Sequence, residues 1–236
     1  MVNNPRLVVL TGAGMSAESG ISTFRDSGGL WDKYPVMEVA SADGFRRNPA
    51  LIHEFYNARR RELLNAQPNA GHKALAQLER WYDVDIITQN VDNLHERAGS
   101  GRVLHLHGEL MKVRSLKHPE RVYELTPENI ETTVETVDSY GDHVRPHIVF
   151  FQEAVPNIEP AVELMERADV VVIIGTSLAV YPAAGLINYA RRGIPVYYID
   201  PHPAPVPDGI TVLPMTATAG MEKLLEILNP ENQKNQ

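Results

Sequence analysis

At 236 residues, of which 43% are hydrophobic and 22% charged, the chain is long enough to bury a sizeable core as one domain with a smaller insertion. Its net charge of −8 argues against a nucleic-acid or anionic-membrane surface, and the absence of cysteine excludes disulfides, thiol catalysis and Cys-ligated zinc. With no apolar run that could span a bilayer and no signal peptide before the first strand, we expect a cytoplasmic protein.

The first predicted strand, residues 7–11, is apolar and runs directly into a turn that contains Gly12 and Gly14. Small residues follow, which is typical of a buried parallel strand that leads into the N-terminus of a helix. Glycines here let the backbone approach a pyrophosphate, and the free N–H groups of the helix attract its charge. The turn therefore favours nucleotide binding. An ordinary dehydrogenase is disfavoured, because residues 22–31 form a polar loop instead of a second strand ending in an acidic residue.

Residues 40–64 have the three-and-four spacing of a helix. Tyr56 and Arg59 lie three positions apart and therefore share a face of it. Spacing alone favours a solvated basic helix with Tyr56 half buried over a ligand site. A proline-containing break follows, and Asn69 or Gly71 is expected to cap the next helix.

A second buried strand, residues 84–88, ends in a cluster of polar side chains that includes Gln89, Asn90 and Asp92. The carboxyl end of a parallel strand is the place where open α/β sheets bind ligands. Helix capping by Asn90 or Asp92 accounts for one of these residues but hardly for all of them. The cluster therefore predicts a binding site.

Residues 103–109 are predicted as one short strand with His105 and His107 on the same face, because side chains alternate along a strand. A metal pair is conceivable, but no third ligand stands at a suitable spacing. A single acid/base histidine, His107 beside Gly108, is the better hypothesis.

Residues 112–144 are polar, charged and rich in threonine, without strong periodicity. They predict a small subdomain and not a layer of the main sheet. A strand is expected to return at 145–153, and a helix at 159–167.

The most apolar strand, residues 170–174, ends in a second glycine turn, 175–177, which suits contact with phosphate or ribose. Asp200 lies at the end of a strand predicted at 195–200 and is placed to accept hydrogen bonds from ribose hydroxyls. The remaining predictions are a helix through residue 191, a strand at 210–213, a helix at 220–228 and a disordered tail from 229.

Strands that alternate with helices predict an α/β protein with a Rossmann-like doubly wound parallel sheet. Its smaller domain is expected to consist of two insertions, at residues 25–70 and 112–144.

Several separate blocks of this sequence resemble the sirtuin family, the NAD-dependent protein-lysine deacylases. They occur in family order and extend from residue 7 to about residue 228. The blocks are residues 12–25, 88–95, 107–108 and 175–177.

The basic helix resembles the bacterial CobB-type branch of that family through residues 55–61. In this branch a Tyr-x-x-Arg pair binds the carboxylate at the tip of succinyl- or malonyl-lysine. The resemblance implies this role for Tyr56 and Arg59 and reverses the interpretation from spacing. The chemistry is sound, because a guanidinium holds a carboxylate through two hydrogen bonds and the tyrosine hydroxyl adds a third donor.

The resemblance also implies a domain division and NAD contacts. The NAD-binding domain comprises residues 1–24, 71–111 and 145–236, with a cofactor loop and helical module at 25–70 and a zinc-free subdomain at 112–144. The implied cofactor-binding residues are Gly12, Ala13, Gly14, Ser16, Ala17, Glu18, Thr23, Phe24, Arg25, Trp31, Gln89, Asn90, Val91, Asp92, Gly175, Thr176, Ser177, Ile199, Asp200, Pro201 and Ala217.

In the family reaction, the amide oxygen of acyl-lysine attacks C1′ of the nicotinamide ribose and nicotinamide leaves. By resemblance, His107 is the general base that activates a ribose hydroxyl, with Asn90 and Asp92 as further catalytic residues. The implied products are free lysine, nicotinamide and O-acyl-ADP-ribose.

Acylated-lysine proteins or peptides are the implied partners, with no nucleic acid and no membrane, and the chain is expected to be a monomer. The residues implied to pair with the substrate backbone as an added strand are Phe151, Gln152 and Glu153.

Three departures from the family pattern stand out. The four zinc-binding cysteines are absent, with Ser115 near the first expected position, so no metal is expected. Gln152 takes the place of a glycine, which alters the expected fit of the peptide. Asp200 and its neighbours differ from the usual asparagine-bearing adenosine segment.

Two other functions stay open at this point. One is an NAD glycohydrolase or ADP-ribosyltransferase that keeps the NAD half without productive peptide binding, which the missing cysteines and Gln152 leave possible. The other is an NAD-sensing binding protein, which the presence of His107 together with the polar cluster disfavours.

Overall fold

Strand β1 (Arg6–Thr11) lies in the middle of a parallel sheet in the computed structural model, which describes residues 4–21 and 34–233. The strand order in this part of the chain is β3-β2-β1-β7-β8-β9, and all pairs are parallel. This is the predicted doubly wound α/β sheet. Its other strands are β2 (Asp83–Thr88), β3 (Val103–His105), β7 (Val170–Ile174), β8 (Val196–Ile199) and β9 (Ile210–Leu213).

Helices cover both faces of the sheet, which is why β1 and β7 are apolar and buried along nearly their whole length. On one face, α5 (Ala70–Leu78) and α8 (Ala217–Leu228) bury residues such as Leu75 and Met221 against the strands. On the other face, α7 (Ile158–Arg167) contributes Met165, and a 3₁₀ helix (Ala183–Tyr189) contributes Leu186.

The chain order reverses between β1 and β7. From β1 the sheet grows outward through β2 and β3 on one side, and through β7, β8 and β9 on the other. Ligands of doubly wound folds bind outside the carboxyl ends of the strands at such a reversal. Both glycine turns lie there, since one follows β1 and the other follows β7.

A second, antiparallel sheet has the order β5-β4-β6 and is formed by β4 (Gly108–Ser115), β5 (Val122–Glu124) and β6 (Val144–Ile148). It extends beyond the predicted subdomain, 112–144, at both ends. The expected single strand at 103–109 is wrong, because the chain leaves the main sheet after His105 and enters the small sheet at Gly108. The strand expected at 145–153 likewise belongs to the small sheet and ends at Ile148.

The helical module contains short helices α2 (Val36–Val39) and α3 (Ala42–Arg47) and the long helix α4 (Pro49–Asn65). The predicted helix at 40–64 is therefore broken, because Asn48 ends α3 and its side chain accepts from the Leu51 N–H to begin α4. A core that includes Phe55, Leu110 and Ile148 joins α4 to the small sheet.

Four other elements complete the described chain. Helix α1 (Gly14–Ala17) and helix α6 (Leu94–Arg97) are single turns that follow β1 and β2. The helix expected through residue 191 is the 3₁₀ helix, and α9 (Pro230–Gln233) replaces the first part of the expected disordered tail. In the described part of the chain, no helix combines the length and apolar character needed to cross a membrane.

Candidate active site

The two glycine turns pack directly against each other. The Gly12 N–H donates to the Ile174 carbonyl at 3.0 Å, and the Gly14 N–H donates to the Gly175 carbonyl at 2.8 Å. A Cβ added to Gly14 would lie 2.7 Å from the Gly175 Cα, and Gly175 itself has a φ of +61°. These two N–H groups therefore fasten one turn to the other, and the close approach of the two backbones is what requires glycine here.

Asn90 and Asp92 are buried behind these turns and hold helix α1. The Asn90 side-chain amide donates to the Gly12 carbonyl at 3.0 Å and to the Ser16 hydroxyl at 3.2 Å. The Ser16 hydroxyl donates to Asp92 Oδ2 at 3.0 Å, and the Leu94 N–H donates to the other carboxylate oxygen. Burial raises the pKa of Asp92. Asn90 and Asp92 of the predicted polar cluster are thus joined through Ser16 into one hydrogen-bonded unit, while the Gln89 side chain donates to Thr176 instead.

A chain of hydroxyl groups lies beneath this unit and was missed in the sequence. Thr11 and Thr88 are directly opposite each other in β1 and β2, and their hydroxyls bond at 2.8 Å. The Asn90 N–H donates to Thr88, while Thr11 contacts Nε2 of the fully buried His95 at 3.1 Å. The sequence pattern that could have indicated this chain is a threonine as the last residue of both β1 and β2.

His107 lies at the same edge of the sheet, half buried, with its Nδ1 3.0 Å from the Gln89 carbonyl. A carbonyl oxygen only accepts, so Nδ1 carries the proton and Nε2 of the neutral ring is left with its lone pair. Burial lowers the pKa of His107, against a smaller opposing effect of the Gln89 carbonyl. The ring is therefore held in the form that a general base requires.

The surroundings of His105 shift its pKa in the opposite direction from that of His107. Its Nδ1 lies 3.0 Å from the Asn90 carbonyl and its Nε2 lies 2.7 Å from Glu96 Oε1, so both ring nitrogens face acceptors. Burial lowers the pKa of His105, but the hydrogen bond and charge of Glu96 outweigh it and the net shift is upward. His105 and His107 do not share a strand, which removes the basis for a metal pair. Among the described residues, no group of three or more His, Asp or Glu is arranged to hold a metal ion.

Tyr56 and Arg59 occupy adjacent turns of α4, at the side of the cluster. Tyr56 is 1% exposed and packs on the Phe150 ring, with centroids 6.0 Å apart, and burial raises its pKa to about 12. Burial lowers the pKa of Arg59, while Tyr56 and Asp92 act on it in the opposite direction. Tyr56 and the Asp92 carboxylate therefore both favour the charged form of Arg59.

The segment 151–153 is engaged differently from the expectation. The Phe151 N–H donates to the Ala40 carbonyl at 2.8 Å, and its carbonyl accepts from Ala42 at 3.1 Å, so its backbone is already paired. Only the Phe151 side chain, 42% exposed, faces outward. This removes Phe151 as a backbone partner for substrate.

Glu153 and Gln152 also have internal partners. The Glu153 carboxylate accepts from Arg145 at 2.6 Å and from the Phe150 N–H at 2.8 Å, which locks the turn after β6. Gln152 has a φ of +76°, and its side-chain amide exchanges two hydrogen bonds with Asp43.

The predicted adenosine contacts are only partly brought together. Thr176 accepts from the Gln89 amide at 3.1 Å, and Asp200 is 5% exposed, with Oδ1 accepting from His202. Ile199 and Ala217 are buried in the sheet–helix core, so their side chains do not face a cleft. Ser177 and Pro201 follow β7 and β8 respectively.

Glu18 and the neighbouring residues of the first turn complete the predicted set. The Glu18 carboxylate accepts from the N–H and the hydroxyl of Thr218 and thereby ties this turn to the start of α8. Ala13 and Ala17 flank and end α1, and Val91 accepts from the Leu110 N–H through its carbonyl. Four predicted residues lie outside the described residues: Thr23, Phe24, Arg25 and Trp31.

Comparison with known proteins decides the family. The Sir2 family matches residues 12–182, which is more than half of the chain. The chain belongs to the Sir2 family. A curated NAD-dependent protein deacylase of Bacteroides thetaiotaomicron is 57% identical over 229 residues, which cover 95% of this chain and 98% of that protein.

Solved Sir2 structures have the same fold as this family member. A Sir2 homolog in complex with NAD is 38% identical, with a TM-score of 0.85 over 98% of this chain and 91% of that one. A Sir2 variant solved with a deacetylated p53 peptide and 3′-O-acetyl ADP-ribose is 32% identical, with a TM-score of 0.79 over 95% and 94% of the two chains.

The residues of this Sir2 site suit a dinucleotide with two riboses and a carboxamide. Asn90, Asp92 and Ser16 supply buried amide, carboxylate and hydroxyl groups at the point where the strand order reverses. Buried polar groups of this kind recognise hydroxyls and amides through hydrogen bonds. The imidazole of His107 stands beside them.

Proposed function

We propose that this chain, an NAD-dependent protein deacylase, removes succinyl and malonyl groups as well as acetyl groups from lysine. The observation that supports the acidic-acyl part is the position of Arg59 on α4, one helical turn after the buried Tyr56 and on the same side of the helix. A guanidinium beside a neutral phenol is a strong receptor for a carboxylate.

Asn90, Asp92 and Ser16 are the residues that would hold the nicotinamide half of NAD, and Thr176 and Asp200 the adenosine half. NAD supplies the nicotinamide leaving group and the ribose carbon that accepts the acyl oxygen. Asn90 is oriented for this task because the Gly12 carbonyl and Ser16 fix its side chain and Thr88 fixes its backbone. The Asn90 side chain is therefore held in its position before the substrate binds.

His107 acts as the general base through Nε2. The Gln89 carbonyl holds the proton on Nδ1, so the ring can accept a proton from a hydroxyl only at its other nitrogen. Protonation of Nε2 creates an imidazolium whose Nδ1–H still donates to Gln89, which stabilises the charge as it forms. Lysine, nicotinamide and O-acyl-ADP-ribose are the expected products.

The proposed substrates are acylated proteins or peptides, bound by a monomer. An NAD glycohydrolase or ADP-ribosyltransferase is the second candidate, and it is favoured by one observation: the Phe151 backbone, expected to pair with a peptide, already pairs with Ala40 and Ala42.

The two candidates are separated by incubating the protein with NAD and with acetyl-, succinyl- or malonyl-lysine peptides. The deacylase releases nicotinamide only when a peptide is present and forms one free lysine for each nicotinamide. Release without peptide, at a rate that peptide does not change, would support the second candidate.

The acidic-acyl role is tested by Arg59→Met. We expect kcat/KM for the succinyl peptide to fall about 10- to 100-fold, because one charge-assisted pair contributes about 1.5–3 kcal/mol. Activity on the acetyl peptide should change less than about threefold. Arg61→Met is the matched control, since this arginine lies on the same helix but is half exposed and pairs with Glu131. Equal losses on both peptides would contradict the carboxylate role.

A further inference from the structure

Arg60 is the most deeply buried arginine or lysine of the described residues, and the sequence pattern assigned no role to it. It follows Arg59 in α4 and is 0% exposed. Its Nε donates to the Leu110 carbonyl at 2.8 Å. Its Nη1 donates to the Ile130 carbonyl at 3.1 Å and to the Thr132 hydroxyl at 3.2 Å. The side chain thus connects α4 to β4 and to the segment before residue 133.

Two other residues of α4 bind the same segment. Asn57 Oδ1 accepts from Arg60 and from the Thr132 N–H, and the Asn57 amide donates to the Thr132 carbonyl at 2.9 Å. His53 Nδ1 contacts the Thr132 hydroxyl at 2.8 Å. Residues 53, 57 and 60 follow one another at helical spacings of four and three, so they form one polar stripe along α4. We call these residues and Thr132 the Arg60 cluster.

The Arg60 cluster lies on the helix face next to the one that carries Tyr56 and Arg59. Consecutive residues of a helix are separated by 100°, so fixing one face fixes the rotation of the other. A rotation of about 10° moves a group about 6 Å from the helix axis by about 1 Å. Displacements of about 1 Å cost reaction rates of the order of 100-fold in preorganised sites.

The groups that accept hydrogen bonds from the Arg60 guanidinium are neutral. In the described residues its hydrogen bonds go to two carbonyls, an amide oxygen and a hydroxyl, and its Nη2 has no partner. Neutral acceptors compensate a buried charge less well than a carboxylate does. A planar guanidinium held by several neutral acceptors fixes the position of α4 relative to the small sheet. It contributes less to the free energy of folding than to this positioning.

We propose that Arg60 is a positioning residue for acyl-group selection: through Asn57 and Thr132 it sets the rotation of α4 and hence the placement of Tyr56 and Arg59. This rests on the proposed function of Tyr56 and Arg59. Where family members use zinc to order the small domain, this chain joins that domain to α4 by hydrogen bonds from Arg60, Asn57 and His53.

Thr132→Val is the sharpest test, because it removes one hydroxyl at nearly constant volume and touches no residue assigned to NAD or substrate. Arg60→Lys is the second variant, which keeps the charge but cannot reach Leu110 and Thr132 together. Arg61→Met is the control, since Arg61 also bonds to this segment, through Glu131, but at the surface. The ratio of kcat/KM for succinyl and acetyl peptides is measured for all three, together with the Kd for NAD.

We expect the succinyl-to-acetyl ratio to fall about tenfold in Thr132→Val and in Arg60→Lys, with a Kd for NAD within about twofold of the unsubstituted protein. Arg61→Met should leave the ratio unchanged. An unchanged ratio in folded Thr132→Val protein would overturn the proposal, and so would an equal loss on both peptides, which is the signature of a merely structural role.

A readout without substrate separates this proposal from the proposed function. In NMR spectra of protein with ¹³C-labelled tyrosine, the Tyr56 ring signals should shift in Thr132→Val and not in Arg61→Met. If the unsubstituted protein removes neither succinyl nor malonyl groups, the proposed function fails while a shifted Tyr56 signal still supports the positioning role of Arg60. Unchanged Tyr56 signals would refute that role whatever the substrate.

Discussion

Two histidines that are separated by one residue have pKa values shifted in opposite directions because their neighbours differ. His107 has one carbonyl acceptor and a buried ring, so it stays neutral. His105 lies between the Asn90 carbonyl and the Glu96 carboxylate, so it favours the imidazolium. Only a neutral imidazole can accept a proton, which supports the proposed role of His107 as the general base, while His105 bonds to the Asn90 carbonyl.

The pH dependence of turnover follows from His107. Its pKa is lowered from 6.5, so the ring is deprotonated and active above that value and is lost as a base only as the pH falls below it. We expect kcat/KM for an acyl-lysine peptide to be flat near neutral pH and to fall on the acid side with a midpoint below 6.5. A midpoint at or above 6.5 would contradict the proposed role of His107.

His107→Tyr should abolish turnover while NAD still binds.

Gln152 is a residue in a backbone conformation that favours glycine. Its φ of +76° costs an L-residue about 1–2 kcal/mol, and its two hydrogen bonds to Asp43 offset part of this cost. We therefore expect Gln152→Gly to be about 1 kcal/mol more stable than Gln152→Ala in urea unfolding, because both lose the Asp43 contacts and only glycine relieves the strain. In an ordinary loop alanine would be the more stable of the two, so that order would refute the argument.

At the scale of elements, the small antiparallel sheet shows how this part of the chain is ordered without zinc ligands. Asp138 accepts from the N–H groups of Tyr140 and Asp142 at 2.9 and 3.0 Å and from the Tyr123 hydroxyl at 3.1 Å. Arg121 bonds to Asp142 at 3.2 Å and lies over the Tyr140 ring, 4.5 Å from its centroid. This cluster fastens the loop before β6 to β5.

The small sheet should therefore respond to loss of a carboxylate and not to loss of a metal. We expect EDTA to leave the melting temperature unchanged and elemental analysis of the purified protein to find no stoichiometric zinc. Asp138→Ala should lower the melting temperature and speed amide exchange in residues 136–144, because three donors lose their acceptor. Glu128→Ala, at an exposed position, is the control. Unfolding by EDTA would show that a metal is present after all.

The main sheet was predictable because each buried strand is a short apolar run that ends in a turn residue. Strand β7 and its glycine turn are the clearest case, and β2 with its polar end is another. Local pattern could not show that the chain changes sheets between His105 and Gly108, because the alternation of side chains continues across the change. That break depends on Gly108 pairing with Ile148, forty residues away.

The candidate site was predictable where it depends on residue type and not where it depends on packing. Asn90 and Asp92 stand out as polar residues after an apolar strand. The use of the glycine N–H groups between the two turns could not be read from the sequence, since it requires β1 and β7 to be neighbours. The Arg60 cluster was hidden for the same reason, because its acceptors lie on β4 and beyond it.

For the whole molecule, the distribution of histidine protonation determines how stability depends on pH. Burial lowers the pKa of His53 and of His72 to about 4, and it lowers the pKa of His95 well below 6.5. The unfolded chain binds protons at these three residues below pH 6.5 and the folded chain does not. Their contribution to stability is therefore present above pH 6.5 and is lost as the pH falls from there toward 4.

His105 acts in the opposite sense, since its pKa in the folded chain lies above 6.5. Its contribution is complete below pH 6.5 and is lost as the pH rises through the folded value. Together these groups make stability fall on the acid side of pH 6.5 and also as the pH rises through the raised pKa of His105. Each buried histidine adds a slope of up to about 1.4 kcal/mol per pH unit on the acid side. We expect the free energy of unfolding to fall by about 2–4 kcal/mol between pH 6 and pH 5.

Urea unfolding at a series of pH values measures this slope, and His53→Gln is the variant that tests its origin. The His53 ring is 2% exposed and contacts the Thr132 hydroxyl, a contact that a glutamine amide can retain. Removing one titrating group should reduce the acid-side slope of the unfolding free energy by about 1.4 kcal/mol per pH unit, which corresponds to one proton. This holds whatever the variant does to stability at pH 7. An equal slope in the His53 variant and the unsubstituted protein would mean that the buried histidines do not drive acid unfolding. Carboxylates such as Glu153 would then be the cause. Burial raises the pKa of Glu153, but its hydrogen bond to Arg145 outweighs this effect and the net shift is downward.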